Sequence, residues 1–148
     1  APTMTSSSSQ ALANLARIGQ LKAEPADARE RAGLLRSATL RLRDARQLIL
    51  SLESRFDLAY NAAHAAALSA LRQHGYRSDN RYLVFQNLEH TLDFTPQQWL
   101  LFNQAHRKRN LAEYEGDLDV TEGFVDELIA HVEQLLVAAR ALDVQPPS

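Results

Sequence analysis

The sequence predicts an all-α, up-and-down bundle of five to six helices, and three observations carry that reading. Apolar residues recur at three- and four-residue intervals in one segment after another, capping and breaking residues separate those segments, and no alternating strand pattern of any length occurs. No repeat with a period of roughly 20 to 50 residues is present either, which separates a bundle from a solenoid.

The elements follow in order. Ala1, Pro2 and Thr3 precede the only methionine, Met4, and are read as a tag remnant. With the serine run Ser6 to Ser9 they form an expected disordered tip over residues 1–9, ahead of one helical domain over residues 10–143 and a frayed tail over residues 144–148. Leu12, Leu15, Ile18 and Leu21 set the period of helix one, and Pro25 breaks the chain after it. Asp27, with Glu30 three residues on, opens helix two. Its apolar stripe is Leu34, Leu35, Ala38, Leu42, Ala45, Leu48 and Ile49, and its arginines Arg36, Arg41, Arg43 and Arg46 are expected to face water.

Ser51 offers a cap for helix three, from Ser54 to His74, where Ala59, Ala63, Ala66, Ala67 and Ala70 let neighbours approach closely and so predict a central helix. Gly75 suits the left-handed position past its end. Arg81 to Leu92 gives a shorter helix four, Thr95 and Pro96 start helix five, and Gly116 closes it near Tyr114. Val120 to Leu142 is the last helix, with Phe124, Leu128, Val132, Leu135 and Leu136 inward.

Composition narrows the function classes. With 148 residues, 45% of them hydrophobic, the chain suits one packed domain. It has no cysteine, so disulfide frameworks and thiolate chemistry are excluded, and a reducing, cytoplasmic setting is the expectation. No run approaches a membrane span, and no membrane association is expected. A net charge of -2 argues against a general nucleic-acid coat, although a local basic patch would still bind phosphate. No phosphate-binding loop, dinucleotide fingerprint or nucleophile elbow is present, and no cofactor is predicted. His64, His74, His90 and His131 sit on separate helices without paired spacing, so no metal site is predicted.

The stretch with the most chemistry is His106 to Tyr114, where Arg107, Lys108 and Arg109 crowd adjacent positive charge into the middle of helix five. On a helix, Arg109 shares a side with Phe102, Ala105 and Ala112, and Asn110 and Tyr114 lie on the neighbouring stripe. One reading is structural, with Arg109 paired to Glu113 one turn on. The other is a cleft bordered by Arg109, Asn110 and Tyr114, in which arginine holds phosphate and an aromatic ring stacks a base. Periodicity leaves both open. Arg55 and Asp57 on helix three are read as a surface or interhelical ion pair, or as a second basic wall facing Arg109.

Two segments resemble the HEPN family of prokaryotic helical domains. The run Ser54-Arg55-Phe56-Asp57-Leu58-Ala59-Tyr60-Asn61-Ala62-Ala63-His64, with Gly75-Tyr76-Arg77 after it, is similar to the central helix of one branch. Arg109-Asn110-Leu111-Ala112-Glu113-Tyr114-Glu115-Gly116 resembles its Arg-Asn-x-x-x-His motif, with Tyr114 where the family has histidine. The resemblance implies a metal-independent ribonuclease site assembled across a homodimer, here altered at Tyr114, with His106 as the candidate substitute acid or base.

It implies, as the leading reading, binding of RNA or a nucleotide, and membership of a toxin/antitoxin pair. The alternative is a non-catalytic interaction bundle that dimerises or docks on a nucleotidyltransferase partner, with Tyr114 as a hydroxyl open to nucleotidylation. Helices three and five are expected at the dimer contact or its rim.

Overall fold

The computed structural model describes residues 6–142, and within them the chain is a bundle of helices with one two-residue strand pair. The helices are α1 (Ser6–Arg17), α2 (Ala28–Ala45), α3 (Leu52–Gln73), α4 (Arg81–Gln86), α5 (Leu88–Thr91), α6 (Pro96–Glu115) and α7 (Glu122–Ala141). The strands β1 (Lys22–Ala23) and β2 (Tyr76–Arg77) pair antiparallel, Lys22 opposite Arg77 and Ala23 opposite Tyr76. No described helix is long and apolar enough to cross a membrane.

α3 is central, as its alanines predict. Ala59, Ala62, Ala63, Ala65, Ala66, Ala67 and Ala70 are all buried, and α2, α4, α5, α6 and α7 pack around this one helix. Small side chains on almost every side leave room for neighbouring backbones to come close, notably α2 through Ala38 and Ala45. Phe56, Tyr60 and Leu71 add bulk, and full burial of such a side chain is worth about 1.5 to 3 kcal/mol.

The caps work largely as the sequence predicts. Asp27 accepts from the amides of Arg29 and Glu30, Ser51 accepts from Ser54, and the Gln98 side chain accepts from the Thr95 amide at 2.8 Å. Gly116 ends α6 with φ of 74°. Asp93, at φ 56°, ends α5 in the left-handed region that aspartate tolerates better than most residues.

Four local expectations are corrected. α1 begins at Ser6, so the serine run expected in a disordered tip is helical from there, while residues 1–5, and the tail expected over residues 144–148, lie outside the described part. Lys22 and Ala23, read as plain connection, form the small sheet with Tyr76 and Arg77. Helix four is two short helices that meet at the buried Asn87, whose backbone amide and side chain both donate to the Leu83 carbonyl, at 2.9 and 2.7 Å.

The fourth correction is the end of α2, which stops at Ala45 instead of running through Leu48 and Ile49. Arg55 Nε donates to the Ala45 carbonyl at 2.9 Å, the oxygen that the Ile49 amide would need to continue the helix. Leu48 and Ile49, expected inward, are instead 77% and 92% exposed at the turn into α3.

Arg55 is itself a buried anchor, and its Nη2 lies 3.4 Å from Asp126. It neither pairs with Asp57 nor forms a second basic wall.

Candidate functional site

The chemistry-bearing side chains gather where α3, α4 and α6 meet. Tyr60, on the central helix, is fully buried as a ring, yet its hydroxyl lies 2.7 Å from His106 Nδ1 and accepts from Arg81 Nη1 at 3.1 Å. The two rings stack with centroids 5.8 Å apart and 7° between planes. Asn110, one turn along α6, places its amide nitrogen 3.3 Å from His106 Nε2, and the exposed Tyr82 sets its ring edge-on at 4.2 Å.

Proton positions follow from counting donors. Arg81 donates to the Tyr60 oxygen; a phenol that gives its own proton to Nδ1 leaves hydrogen on Nε2, directed toward Asn110. That hydrogen is met best with the amide turned oxygen-first.

Positive charge dominates the field here. Burial and then the guanidinium of Arg81 hold His64 down to about 4, with His106, Arg41 and Arg109 acting in the same direction. His106 is lowered by burial first, then by Arg81 and Arg109, with Glu113 opposing. Burial raises the Tyr60 phenol, against the pull of Arg81 and Arg109. Both histidines are therefore neutral rings at neutral pH.

Arg81 and Arg109 differ in what they touch. Each guanidinium carbon stands 5.4 Å from the Tyr60 ring centroid. Arg81 otherwise reaches only neutral oxygens, the Tyr60 hydroxyl and Asn61 Oδ1 at 3.4 Å, and no carboxylate pairs with it among the described residues. Arg109 has two carboxylates, Glu113 at 3.3 Å and Asp57 at 3.8 Å, the helical pair that the structural reading of the motif expects.

The residues singled out in the sequence thus separate. His106 is buried, with both ring nitrogens engaged. Asn110 is its partner on the exposed side of α6. Arg109 turns to line a cleft of about 470 Å³ with Asp57, Glu53 and Glu113, and neither Asn110 nor Tyr114 borders that cleft. Tyr114 is 94% exposed and makes no hydrogen bond, ion pair or ring contact with the other three among the described residues. Among the described residues no group of three or more histidines and carboxylates is placed to hold a metal ion.

Tyr60, Asn61, His64, Arg81 and Tyr82 carry roles that sequence reasoning did not assign. One signal was available for Arg81, which directly follows the cap Asn80, whose side chain accepts from the Leu83 amide. A cation in the first turn of a helix opposes the helix dipole and needs another reason to be there. Comparison with protein-family models, with curated proteins and with solved structures finds no match to this chain.

Proposed function

We propose that the chain is a HEPN-like domain that binds RNA or a nucleotide through phosphate on the face formed by α3, α4 and α6, with a ribonuclease motif altered at Tyr114. The observation that carries this reading is the state of Arg81, a guanidinium bonded only to neutral oxygens inside a field of further cations. Such a group keeps its charge available for a phosphate, and phosphate contacts of arginine are directional and charge-assisted. Tyr82 offers an exposed ring beside it for a base.

The engaged nitrogens of His106 argue against its replacing the missing histidine, so binding is the core of the reading and cleavage is not required by it.

The test is fluorescence anisotropy with a labelled single-stranded RNA. Arg81→Ala should weaken binding by about 1 to 3 kcal/mol, and binding should weaken with salt. Arg109→Ala should cost less, because its charge is already shared with Asp57 and Glu113. Equal affinity of wild type and Arg81→Ala would remove the proposal.

Two parts of the resemblance remain proposals of the same kind. Pairing of two copies is read by light scattering, and a monomeric mass at micromolar concentration would count against it. Docking of a nucleotidyltransferase is favoured by the exposure of Tyr114, and is tested by intact-mass analysis for a nucleotide adduct that Tyr114→Phe abolishes.

A further inference from the structure

Charge in this chain is divided along the sequence. Fifteen of the 16 lysines and arginines lie at or before Arg109, and from Asn110 to Ala139 there is none, while eight carboxylates fall in that stretch. The structure brings the start of that acidic stretch against the first turns of α3. Between them lies the cleft of about 470 Å³, with Glu53 and Asp57 on one wall, Glu113 on the other, and Arg109 as its only cation.

Its lining is not wholly polar. Phe56, Ala112 and Leu118 contribute apolar surface, and the same cleft is bounded by Ser51, directly after the exposed turn that carries Leu48 and Ile49. Arg109 is shared between Asp57 and Glu113, so the cleft keeps two more carboxylates than cations, and Glu53 makes no ion pair among the described residues.

We infer that the cleft between the start of α3 and the end of α6 docks a cationic, amphipathic segment of a protein partner. Exposed aliphatic side chains beside three carboxylates set against one arginine match a guest that presents lysine or arginine on one side and apolar groups on the other. RNA is disfavoured here by like charge. The cleft shares α3 and α6 with the phosphate-binding face but is not lined by Arg81, and its test, which uses no RNA, does not depend on that reading.

The probe is a fluorescein-labelled helical peptide of lysine and leucine, titrated into the full chain, with an all-lysine and a glutamate/leucine peptide as comparators. The lysine/leucine peptide should bind, the other two should bind at least about tenfold more weakly, and added salt should reduce binding. The Glu53→Gln/Asp57→Asn double variant and Ile49→Ser should each lower affinity by about tenfold with unchanged melting temperature. Glu89→Gln/Glu127→Gln, away from the cleft, should bind the peptide as wild type does.

Unchanged affinity in the cleft variants overturns the proposal. So does equal binding of the all-lysine peptide, which would show a counterion effect without an apolar seat. A third result also overturns it: light scattering that shows a dimer broken by Ile49→Ser, which would mean that a second copy of this chain covers the cleft.

Discussion

The Tyr60 hydroxyl lies 2.7 Å from His106 Nδ1 while the two rings stack 5.8 Å apart, so one phenol fixes the orientation of the buried imidazole. Removing that hydroxyl leaves His106 Nδ1 without its partner and Arg81 Nη1 with only the longer bond to Asn61 Oδ1 at 3.4 Å. Tyr60→Phe should destabilise the fold by about 1 to 3 kcal/mol in urea unfolding, with little change of shape by circular dichroism. A neutral result would mean that water takes over both bonds.

His64 predicts a pH dependence of stability. Its folded value, about 4, lies below the ordinary 6.5, so between these limits the unfolded chain binds the extra proton. The contribution is fully present above about pH 6.5 and is lost as pH falls toward 4, amounting to about 3 kcal/mol for a shift of this size. His106, lowered for the same reasons, acts in the same direction. Unfolding free energies of wild type and His64→Gln should converge as pH falls through this window. Parallel curves would show that His64 is not the titrating group.

Arg72 should be the most sensitive charged residue in the chain. It is 2% exposed, donates to Glu30 at 2.5 Å and to the carbonyls of Glu24 and Pro25 at 2.8 and 2.6 Å, and so holds β1 and the entry to α2 against the end of α3. Arg77 joins Glu24 and Glu30 from β2, and these arginines keep the Glu30 carboxyl below its ordinary range. Arg72→Ala should cost about 1 to 3 kcal/mol, by removing a buried side chain and the donors that tie Glu24 and Pro25 to α3, while Arg77 still pairs both carboxylates. Arg72→Lys should recover little of that, since an ammonium cannot make the forked set of bonds. Full recovery by lysine would show that charge alone is needed.

Most of the helices were legible because their signals are local. The cap at Asp27, the alanine run of α3, the Thr95-Pro96 start and Gly116 each act within a few residues of where they are read. The site was less legible for the opposite reason. Tyr60, Arg81 and His106 are brought together from three helices, and nothing in the spacing of Arg109, Asn110 and Tyr114 shows that their side chains leave α6 toward three different surroundings. The Arg72 network has the same character, since its partners lie more than a helix away in sequence.

The end of α2 gives the sharpest contrast between pattern and structure. Leu48 and Ile49 continue the apolar spacing of the helix, and buried residues of that size cost about 2 to 5 kcal/mol when truncated to alanine. In the structure they stand in water, because Arg55 has taken the Ala45 carbonyl that the next turn would have used. Leu48→Ser and Ile49→Ser should therefore each change the unfolding free energy by no more than about 0.5 kcal/mol. Arg55→Met behaves differently: it leaves that carbonyl without its guanidinium donor and strips Asp126 of its cation, so it should destabilise by several times more than either serine variant. Chemical denaturation of the three variants separates the two arrangements, and a loss of about 2 kcal/mol or more in the serine variants would place Leu48 and Ile49 back in the core.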